Sequence, residues 1–321
     1  MSVSLLDIEA AAGRLKGHSV VTPLIESPAL NERAGGRVLV KPESLQLVGA
    51  FKFRGAWNRL SQLSEAERKA GVVAFSSGNH AQGVALAARR LGAPAIIVMP
   101  ADAPQIKIDN TRGHGAEIIF YDRAKDDRVA LARRILAERG GTLVPAFDDE
   151  AIIAGQGTVG LELLEQAGAL DVVVGPIGGG GLMGGVSTAI KAKSPETQVW
   201  GVEPEAFDDT LRSLQAGKRM EAPPGPRSLC DSLESAMPGE ITFPILQQNL
   251  TGVVTVSDAE VAEAMRFAFG QLKLVLEPGG AASLAAVLAG KIDVRGKTSA
   301  VICTGGNVDL GLFAKVLAGE L

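Results

Sequence analysis

The sequence contains few of the residues on which disulfide-rich and zinc-dependent proteins rely. Among 321 residues there are two cysteines, Cys230 and Cys303, and three scattered histidines. Two thiols in so long a chain form no disulfide framework, and the histidine spacing matches no zinc motif. The N-terminus carries Asp7 and Glu9 where a signal peptide has a basic start, and no apolar run reaches the roughly 18 residues of a membrane helix. We therefore expect a cytoplasmic protein without a membrane partner.

An excess of basic charge is also absent. The chain has 32 Lys and Arg against 36 Asp and Glu, which gives a formal net charge of −4. This balance creates no field that would attract a polyanion, so nucleic acid is not an expected partner. The hydrophobic fraction of 46% over this length predicts two lobes, because single cores seldom grow beyond roughly 250–300 residues.

The order of predicted elements indicates an α/β fold. Short runs rich in Val and Ile alternate with longer amphipathic segments rich in Ala and Leu, as in βα units with mostly parallel sheets. Ligand sites in such folds lie in the loops after the carboxyl ends of strands. The predicted helices include Arg128–Arg139, Asp258–Leu272 and Ala281–Leu288. The predicted strands are Val72–Ser76, Ala95–Met99, Glu117–Tyr121, Thr142–Ala146, Asp171–Gly175, Gln198–Glu203, Gly252–Val256 and Thr298–Cys303.

One loop of small polar residues follows the first of these strands and opens a helix. Its sequence is Ser76-Ser77-Gly78-Asn79-His80. Backbone N–H groups at a helix N-terminus bind anions such as a carboxylate or phosphate. An ordinary capped turn is the other interpretation, because Ser and Asn are common at that position.

A second loop contains four consecutive glycines, at positions 178–181. Glycine raises the entropy cost of folding, so such a run indicates that the backbone must approach a ligand closely or adopt positive φ. A phosphate cradle is one use for it. A dinucleotide site is another, because Gly179, Gly181 and Gly184 satisfy the GxGxxG pattern and Glu203 ends the next predicted strand.

Two further segments contain candidate functional side chains. Lys52 stands between Phe51 and Phe53, and apolar neighbours lower the pKa of an amine, as imine formation requires. A surface lysine is the alternative. Thr304 follows the last predicted strand, where its hydroxyl could meet a ring nitrogen, although a plain glycine-rich turn fits as well.

Together and in this order, the segments resemble the fold type II family of pyridoxal-phosphate (PLP) enzymes, which includes threonine dehydratases and serine racemase. The resemblance covers nearly the whole chain, whereas a dinucleotide site explains one segment of five. The matching segments are SLQLVGAFKFRGA, SSGNHAQG, GGGG, EPGGAA at Glu277–Ala282, and TGGN. The resemblance implies two lobes, each with a mostly parallel sheet flanked by helices. Residues 1–51 and 147–321 would form a large PLP-binding domain, and residues 52–146 a small substrate-binding domain.

The resemblance also implies a role for each matching residue. Lys52 would form the Schiff base with PLP and later act as the general base at Cα. Asn79 would bond the phenolic oxygen of PLP, and Thr304 would face its pyridine nitrogen. Phe51 and Glu277 would complete the cofactor site. The phosphate would be held by Gly178, Gly179, Gly180, Gly181 and Leu182, and the substrate carboxylate by Ser76, Asn79 and His80, with Ser77 in the same substrate-binding loop.

The implied reaction converts a small β-hydroxy amino acid into a 2-oxo acid and ammonia. We take L-threonine or L-serine as the first prediction for the substrate, and a homodimer for the assembly. Ser77 stands where serine racemase has a second acid–base group, which keeps racemisation open. Arg128 stands where racemase-like members have an arginine, and it could accept the side-chain carboxylate of threo-3-hydroxyaspartate. An exposed arginine at a helix start is the alternative for Arg128.

Two remaining segments concern a metal ion and the substrate side. Glu203, the carbonyl of Phe207, and Asp209 match the oxygen ligands for Mg²⁺ or Ca²⁺ in racemase-like members. A solvated acidic surface is the other interpretation. The segment Ser228–Ser232 keeps an acid, Asp231, where related enzymes often have Ala-Asp-Gly, so the substrate side matches the family less closely than the cofactor side.

Overall fold

The chain forms two lobes, each built on its own β-sheet. The structure is a computed structural model that describes residues 2–76, 78–103, 105–122, 125–223, 225 and 227–321, with the backbone alone for residues 106 and 128. The strands are β1 (Ile25–Glu26), β2 (Arg37–Pro42), β3 (Val72–Phe75), β4 (Ala95–Pro100), β5 (Glu117–Tyr121), β6 (Thr142–Leu143), β7 (Val172–Pro176), β8 (Gln198–Pro204), β9 (Gly252–Val256) and β10 (Thr298–Cys303).

Helices connect and cover these strands. They are α1 (Leu5–Leu15), α2 (Pro28–Ala34), α3 (Lys52–Leu60), α4 (Glu65–Ala70), α5 (Asn79–Leu91), α6 (Gln105–Gly113), α7 (Arg128–Arg139), α8 (Glu150–Ala167), α9 (Gly181–Lys193), α10 (Asp209–Ala216), α11 (Thr242–Asn249), α12 (Asp258–Phe267), α13 (Pro278–Leu288) and α14 (Leu310–Ala318). Within the described part of the chain, no helix has the length and apolar content needed to cross a bilayer.

Both sheets are mostly parallel, which confirms the predicted α/β class. The larger sheet has the strand order β1-β2-β10-β7-β8-β9, and only the edge pair β1 and β2 is antiparallel. The smaller sheet has the order β5-β4-β3-β6, with every pair parallel. Its strands all lie between residues 72 and 143.

Helices bury both faces of each sheet, as parallel strands require. In β7, Val172 and Val174 pack toward α12 and α13, whereas Val173 packs toward α8 and α9. Alternate residues of a strand face opposite sides, so the continuous Val run of β7 serves two cores. In the smaller sheet, Ala74 belongs to the core of α3 and α5, and Val73 to the core of α7.

The structure differs from the predicted elements at several places. Strands β1 and β2 were not predicted, and the strand predicted over Thr142–Ala146 ends at Leu143. The helix predicted over Asp258–Leu272 is α-helical only to Phe267 and continues as a π-helix over Ala268–Leu272. Helix α3, which begins at Lys52, contacts α5 of the small lobe and α8 of the large lobe. The predicted lysine therefore stands where the two lobes meet.

Candidate active site

A cavity of about 360 Å³ opens at the carboxyl ends of strands from both sheets. Pro176 ends β7, Ser76 follows β3, and Thr304 follows β10, and all three line the cavity. The predicted site residues among its lining are Phe51, Lys52, Ser76, Asn79, His80, Gly178, Gly179, Gly180, Gly181, Leu182, Glu277 and Thr304. The folding of two parallel sheets has thus brought residues from distant segments to one place.

Lys52 presents a buried amine to this cavity. Its Nζ donates a hydrogen bond to the carbonyl of Ala146 at 2.8 Å and lies 5.2 Å from the ring centre of Phe51. Burial lowers the pKa of Lys52 to about 8, against the opposing charge of Glu277. Phe53, in contrast, packs into the small-lobe core against Trp57. One of the two predicted apolar walls therefore faces the lysine.

The segment before Lys52 is joined to the TGGN segment. The N–H of Phe51 donates to the carbonyl of Thr304 at 3.1 Å, and the N–H of Gly306 donates to the carbonyl of Gly49 at 2.9 Å. A Cβ on Gly280 would lie 2.2 Å from the carbonyl oxygen of Gly305, so the EPGGAA helix can approach only because glycine stands there. These contacts fix the lysine and the threonine relative to each other.

The glycine loop offers backbone N–H groups and no side chains to the cavity. Helix α9 begins at Gly181, so the N–H groups of its first turn have no acceptors within the helix. Gly180 has φ +93°, which disfavours any other residue, and a Cβ on Gly179 would lie 2.4 Å from the ring of Phe147. The first turn contains no acidic residue. This geometry suits a phosphate group.

A chain of hydrogen bonds holds the side chain of Asn79 in one orientation. Its Nδ2 donates to Oε1 of Glu277, and its Oδ1 accepts from Nδ2 of Asn307 at 2.8 Å. Asn307 also donates to the carbonyl of Val48, which has the unusual φ of +60° for a β-branched residue. Asn307 belonged to a recognised motif, but sequence reasoning gave it no role. Its two partners, 228 and 259 residues away, leave no local signal.

Glu277 is buried beside Asn79 with its second oxygen, Oε2, lacking a hydrogen-bond partner among the described residues. Burial and the charge of Asp231 raise the pKa of Glu277 to about 7, while Lys107, Asn79 and Lys52 oppose the shift. This oxygen is free to meet a bound group or an ordered water in the cavity.

The loop after β3 presents small groups at the start of α5. The hydroxyl of Ser76 accepts a hydrogen bond from the N–H of Gly78 at 3.2 Å. The Nε2 of His80 lies 2.9 Å from the carbonyl of Val144, which can only accept, so the proton is on Nε2 and Nδ1 has none. Burial, with the nearby charge of Lys52, lowers the pKa of His80 to about 3. His80 can therefore donate to a carboxylate only through its backbone.

A second lysine, which the sequence did not single out, also lines the cavity. Lys107 of α6 is buried, and its Nζ donates to Oδ2 of Asp231 at 2.6 Å. The ion pair links a helix of the small lobe to the segment before α11 in the large lobe. A lone lysine in a polar helix carries no motif, which is why sequence reasoning missed it.

Comparison with known proteins identifies the family to which the chain belongs. The family model "Pyridoxal-phosphate dependent enzyme" matches residues 15–305. The chain belongs to this family. It is 47% identical over 313 residues to an L-threo-3-hydroxyaspartate ammonia-lyase from a Pseudomonas species, with 98% of each chain covered. It is 44% identical to an L-threonine ammonia-lyase from Thermotoga maritima, covering 98% of this chain and 78% of the relative. The structure of maize serine racemase superposes with a TM-score of 0.94 at 35% identity, covering 100% and 98% of the two chains.

These findings confirm the resemblance and the predicted fold. The protein is a PLP-dependent enzyme of the fold type II group, whose relatives are ammonia-lyases and racemases acting on small amino acids. The amine of Lys52 and the N–H groups of the glycine loop fit the aldehyde and the phosphate of PLP.

Two of the predicted substrate-side residues cannot be placed in this cavity. Ser77 lies outside the described residues. Arg128 is the first residue of α7, and its side chain lies outside the described part of the structure.

The predicted metal ligands lie apart from the cavity, at the end of β8 and the start of α10. Glu203 is buried and accepts from the N–H groups of Thr210 and Leu211, both at 2.9 Å. Both carboxyl oxygens of Asp209 are buried without a partner among the described residues. Burial raises the pKa of Glu203 to about 7 and, together with the charge of Glu203, that of Asp209 to about 8. Within the described ranges no group of three or more Asp, Glu, His or Cys residues could hold a metal.

Proposed function

We propose that this protein is a PLP-dependent ammonia-lyase that converts L-threo-3-hydroxyaspartate into a 2-oxo acid and ammonia. One observation carries the reaction type. A half-buried lysine with a lowered pKa shares a cavity with an N–H-rich loop suited to phosphate and a second loop suited to a carboxylate. The substrate is supported by the similarity to the Pseudomonas enzyme over 98% of both chains. We therefore propose hydroxyaspartate as the substrate ahead of L-threonine and L-serine, which were the first prediction from the sequence alone.

Each part of the cavity has a proposed task in the reaction. Bound PLP supplies an aldehyde for the substrate amine and an electron-withdrawing ring that acidifies the Cα proton. Lys52 would hold the cofactor covalently at rest, and its freed amine would take the Cα proton as general base. The N–H groups of residues 178–182 would hold the phosphate, and the hydroxyl of Thr304, which lines the cavity, would face the ring nitrogen. Asn79, held by Asn307 and Glu277, would donate its remaining Nδ2 hydrogen to the phenolic oxygen.

The substrate carboxylate is proposed to bind at the start of α5. Ser76 and the backbone of Asn79 and His80 form this end of the cavity. A carboxylate held there fixes the position of Cα relative to Lys52. The Cα proton then already points toward the amine that removes it, which lowers the entropic cost of the proton transfer. Ser77 belongs to the same proposed loop, and an acid–base role for it predicts racemisation in addition to deamination.

A second candidate substrate is L-threonine. Leu233, Ala236 and Met237 give part of the cavity wall an apolar character, which suits a methyl group at Cβ. The similarity to the Thermotoga maritima enzyme supports the same candidate.

A divalent cation at Glu203 and Asp209 is a separate proposal. The two unpartnered oxygens of Asp209 beside a second buried carboxyl are the donors that Mg²⁺ and Ca²⁺ prefer. The Phe207 carbonyl and water would complete the ligand set. We expect Mg²⁺ or Ca²⁺ to raise the thermal midpoint of the wild type and of Glu205→Gln, an exposed control, but not that of Asp209→Asn. An equal rise in all three would exclude this site.

The substrate proposal is tested by one set of assays on the PLP-loaded enzyme. Release of 2-oxo acid is measured with L-threo-3-hydroxyaspartate, L-threonine and L-serine, and conversion of L-serine to D-serine is measured in parallel. We expect the highest kcat/KM for hydroxyaspartate. A higher kcat/KM for L-threonine would make L-threonine the proposed substrate in place of hydroxyaspartate. Absence of 2-oxo acid with all three substrates would refute the lyase proposal. Racemisation that survives Ser77→Ala would refute the acid–base role of Ser77.

A further inference from the structure

The cavity contains a second ammonium group that the proposed reaction does not use. Lys107 has only 7% of its surface exposed. A Cβ on Gly78 would lie 3.8 Å from its Nζ, so the ammonium stands beside the loop proposed to hold the substrate carboxylate. Lys52 is occupied by the cofactor and the Cα proton, which leaves Lys107 as an additional cation facing the substrate space.

The ammonium of Lys107 has donor capacity to spare. An ammonium group carries three N–H donors, and within the described part of the chain its Nζ has one hydrogen-bond acceptor, Oδ2 of Asp231. The Asp231 side chain is 40% exposed, so water can take over its hydrogen bonds if the lysine turns toward a ligand. The ion pair therefore holds the ammonium in place, but Lys107 can exchange Asp231 for a ligand because water can solvate the partly exposed carboxylate.

The acidic residues of the cavity make such a cation necessary for a dicarboxylic substrate. Glu277, Asp231 and Glu234 all line the wall, and among the described residues only Glu234 has an arginine partner, Arg227 at 2.6 Å. A second substrate carboxylate placed beside the Asp231 carboxylate would be repelled by it unless an ammonium bound the substrate group. A methyl or hydrogen at the same position, as in threonine or serine, would need no such partner.

We propose that Lys107 is a specificity-determining residue that binds the distal carboxylate of a dicarboxylic β-hydroxy amino acid, with Asp231 holding the ammonium in position for it. The inference rests on the proposed function and assigns Lys107 as the residue that recognises the distal carboxylate of its substrate.

The test compares two substrates in variants of this pair. Lys107→Met keeps the length of the side chain without its charge, Lys107→Arg keeps the charge, and Lys69→Met removes an exposed lysine of the same lobe. We expect Lys107→Met to lower kcat/KM for L-threo-3-hydroxyaspartate, relative to L-threonine, by roughly 30-fold or more, the loss typical of a charge left without its partner. Lys107→Arg should keep most of the preference, and Lys69→Met all of it.

Asp231→Asn separates substrate recognition from a merely structural link between the lobes. Asparagine at position 231 keeps an oxygen that accepts from the ammonium and so still positions it, but removes the negative charge that competes with the substrate. If Lys107 binds the substrate, the KM for hydroxyaspartate is therefore unchanged or lower in Asp231→Asn. If the ion pair only holds the lobes together, Asp231→Asn and Lys107→Met lose activity on both substrates alike, and the proposal is overturned.

Inhibition by simple acids makes the result independent of the preferred substrate. Succinate has the two carboxylates of aspartate, and butyrate has one, so each is tested against whichever substrate the enzyme turns over. We expect Lys107→Met to weaken inhibition by succinate roughly 30-fold and to leave butyrate unchanged. An equal change for the two acids overturns the role of Lys107. If the wild type does not turn over hydroxyaspartate, but Lys107→Met still weakens inhibition by succinate and not by butyrate, the proposed function is overturned and the role of Lys107 is not.

Discussion

A buried arginine two residues after Lys52 provides a sharp test of the architecture. Arg54 has no exposed surface and contacts two carboxylates. Its Nε and Nη2 donate to Glu43 at 2.7 and 2.8 Å, and its Nη1 and Nη2 donate to Glu162 at 2.6 and 2.9 Å. Glu162 also pairs with Lys41 at 2.6 Å. The cluster connects the helix of Lys52 to α8 of the large lobe.

We predict that Arg54→Met lowers the free energy of unfolding by about 3 kcal/mol at pH 8. Removing one partner of a buried ion pair costs about 3–5 kcal/mol because a buried charge is left uncompensated. The lower end applies because Lys41 remains close to both carboxylates. Arg54→Lys, which keeps the charge but not the two-pronged geometry, should cost less.

The cost of Arg54→Met should depend on pH. Burial alone would raise the pKa of Glu43, but Arg54, with smaller contributions from Thr22 and Lys41, outweighs it, so the folded pKa lies below the ordinary 4.5. In the wild type this stabilisation is present above that ordinary value and is lost only as pH falls through the lower folded pKa. In Arg54→Met, burial acts with less opposition and Glu43 takes up a proton at higher pH. The difference from the wild type is therefore larger at pH 8 than at pH 5.5.

Urea unfolding followed by far-UV circular dichroism at the two pH values measures this difference. Arg33→Met is the matched control, because Arg33 and Glu263 form an ion pair with side chains 42% and 44% exposed, which contributes at most about 1 kcal/mol. A cost for Arg54→Met no greater than that of the control, or one equal at both pH values, would refute the reasoning.

Three further predictions concern the cavity itself. Gly180→Ala should destabilise the protein more than Gly290→Ala, because both glycines have positive φ but only at Gly180 would a Cβ meet Thr242 Oγ1 at 2.8 Å; equal thermal midpoints would contradict this. Asn307→Asp, which cannot donate to Oδ1 of Asn79, should weaken PLP binding roughly tenfold in equilibrium titrations, and unchanged affinity would remove its positioning role. Burial and Lys52 hold the pKa of His80 at about 3, below the 6.5 of a free imidazole, so stability falls as pH drops below 6.5, by about 2 kcal/mol at pH 5. His80→Gln should show a smaller loss in chemical unfolding, and the same loss would contradict the assignment.

Much of the fold could be predicted because its signals are local. The strand bounds of β5, β9 and β10 agree with the predicted ranges, since each is a short β-branched run between turn residues. Strand β2 was missed because it contains Arg37, Lys41 and Pro42. Lys41 is tolerated there because Glu162 and Gln166 bind its ammonium from more than 120 residues away. No local pattern carries that information.

The candidate residues on the cofactor side could be picked out from the sequence for a related reason, whereas Lys107 and its pairing with Asp231 could not. Glycines and a lysine in fixed motifs constrain the backbone wherever they occur, so residues 178–181 and Lys52 could be recognised before their neighbours were known. Lys107 and Asp231 acquire meaning only when α6 and the segment before α11 meet across the cavity. The assignments of Ser77 and Arg128 stay predictions, as do the homodimer, the cytoplasmic location and the boundaries of the two domains.

The central claim is that Lys52 carries the cofactor, and reduction of the PLP-loaded enzyme with borohydride tests it most directly. We predict that peptide mass spectrometry finds one pyridoxyl group per chain, attached to Lys52, and that Lys52→Ala incorporates none. A pyridoxyl group on Lys107 or another lysine, or an unmodified wild-type chain, would contradict the account.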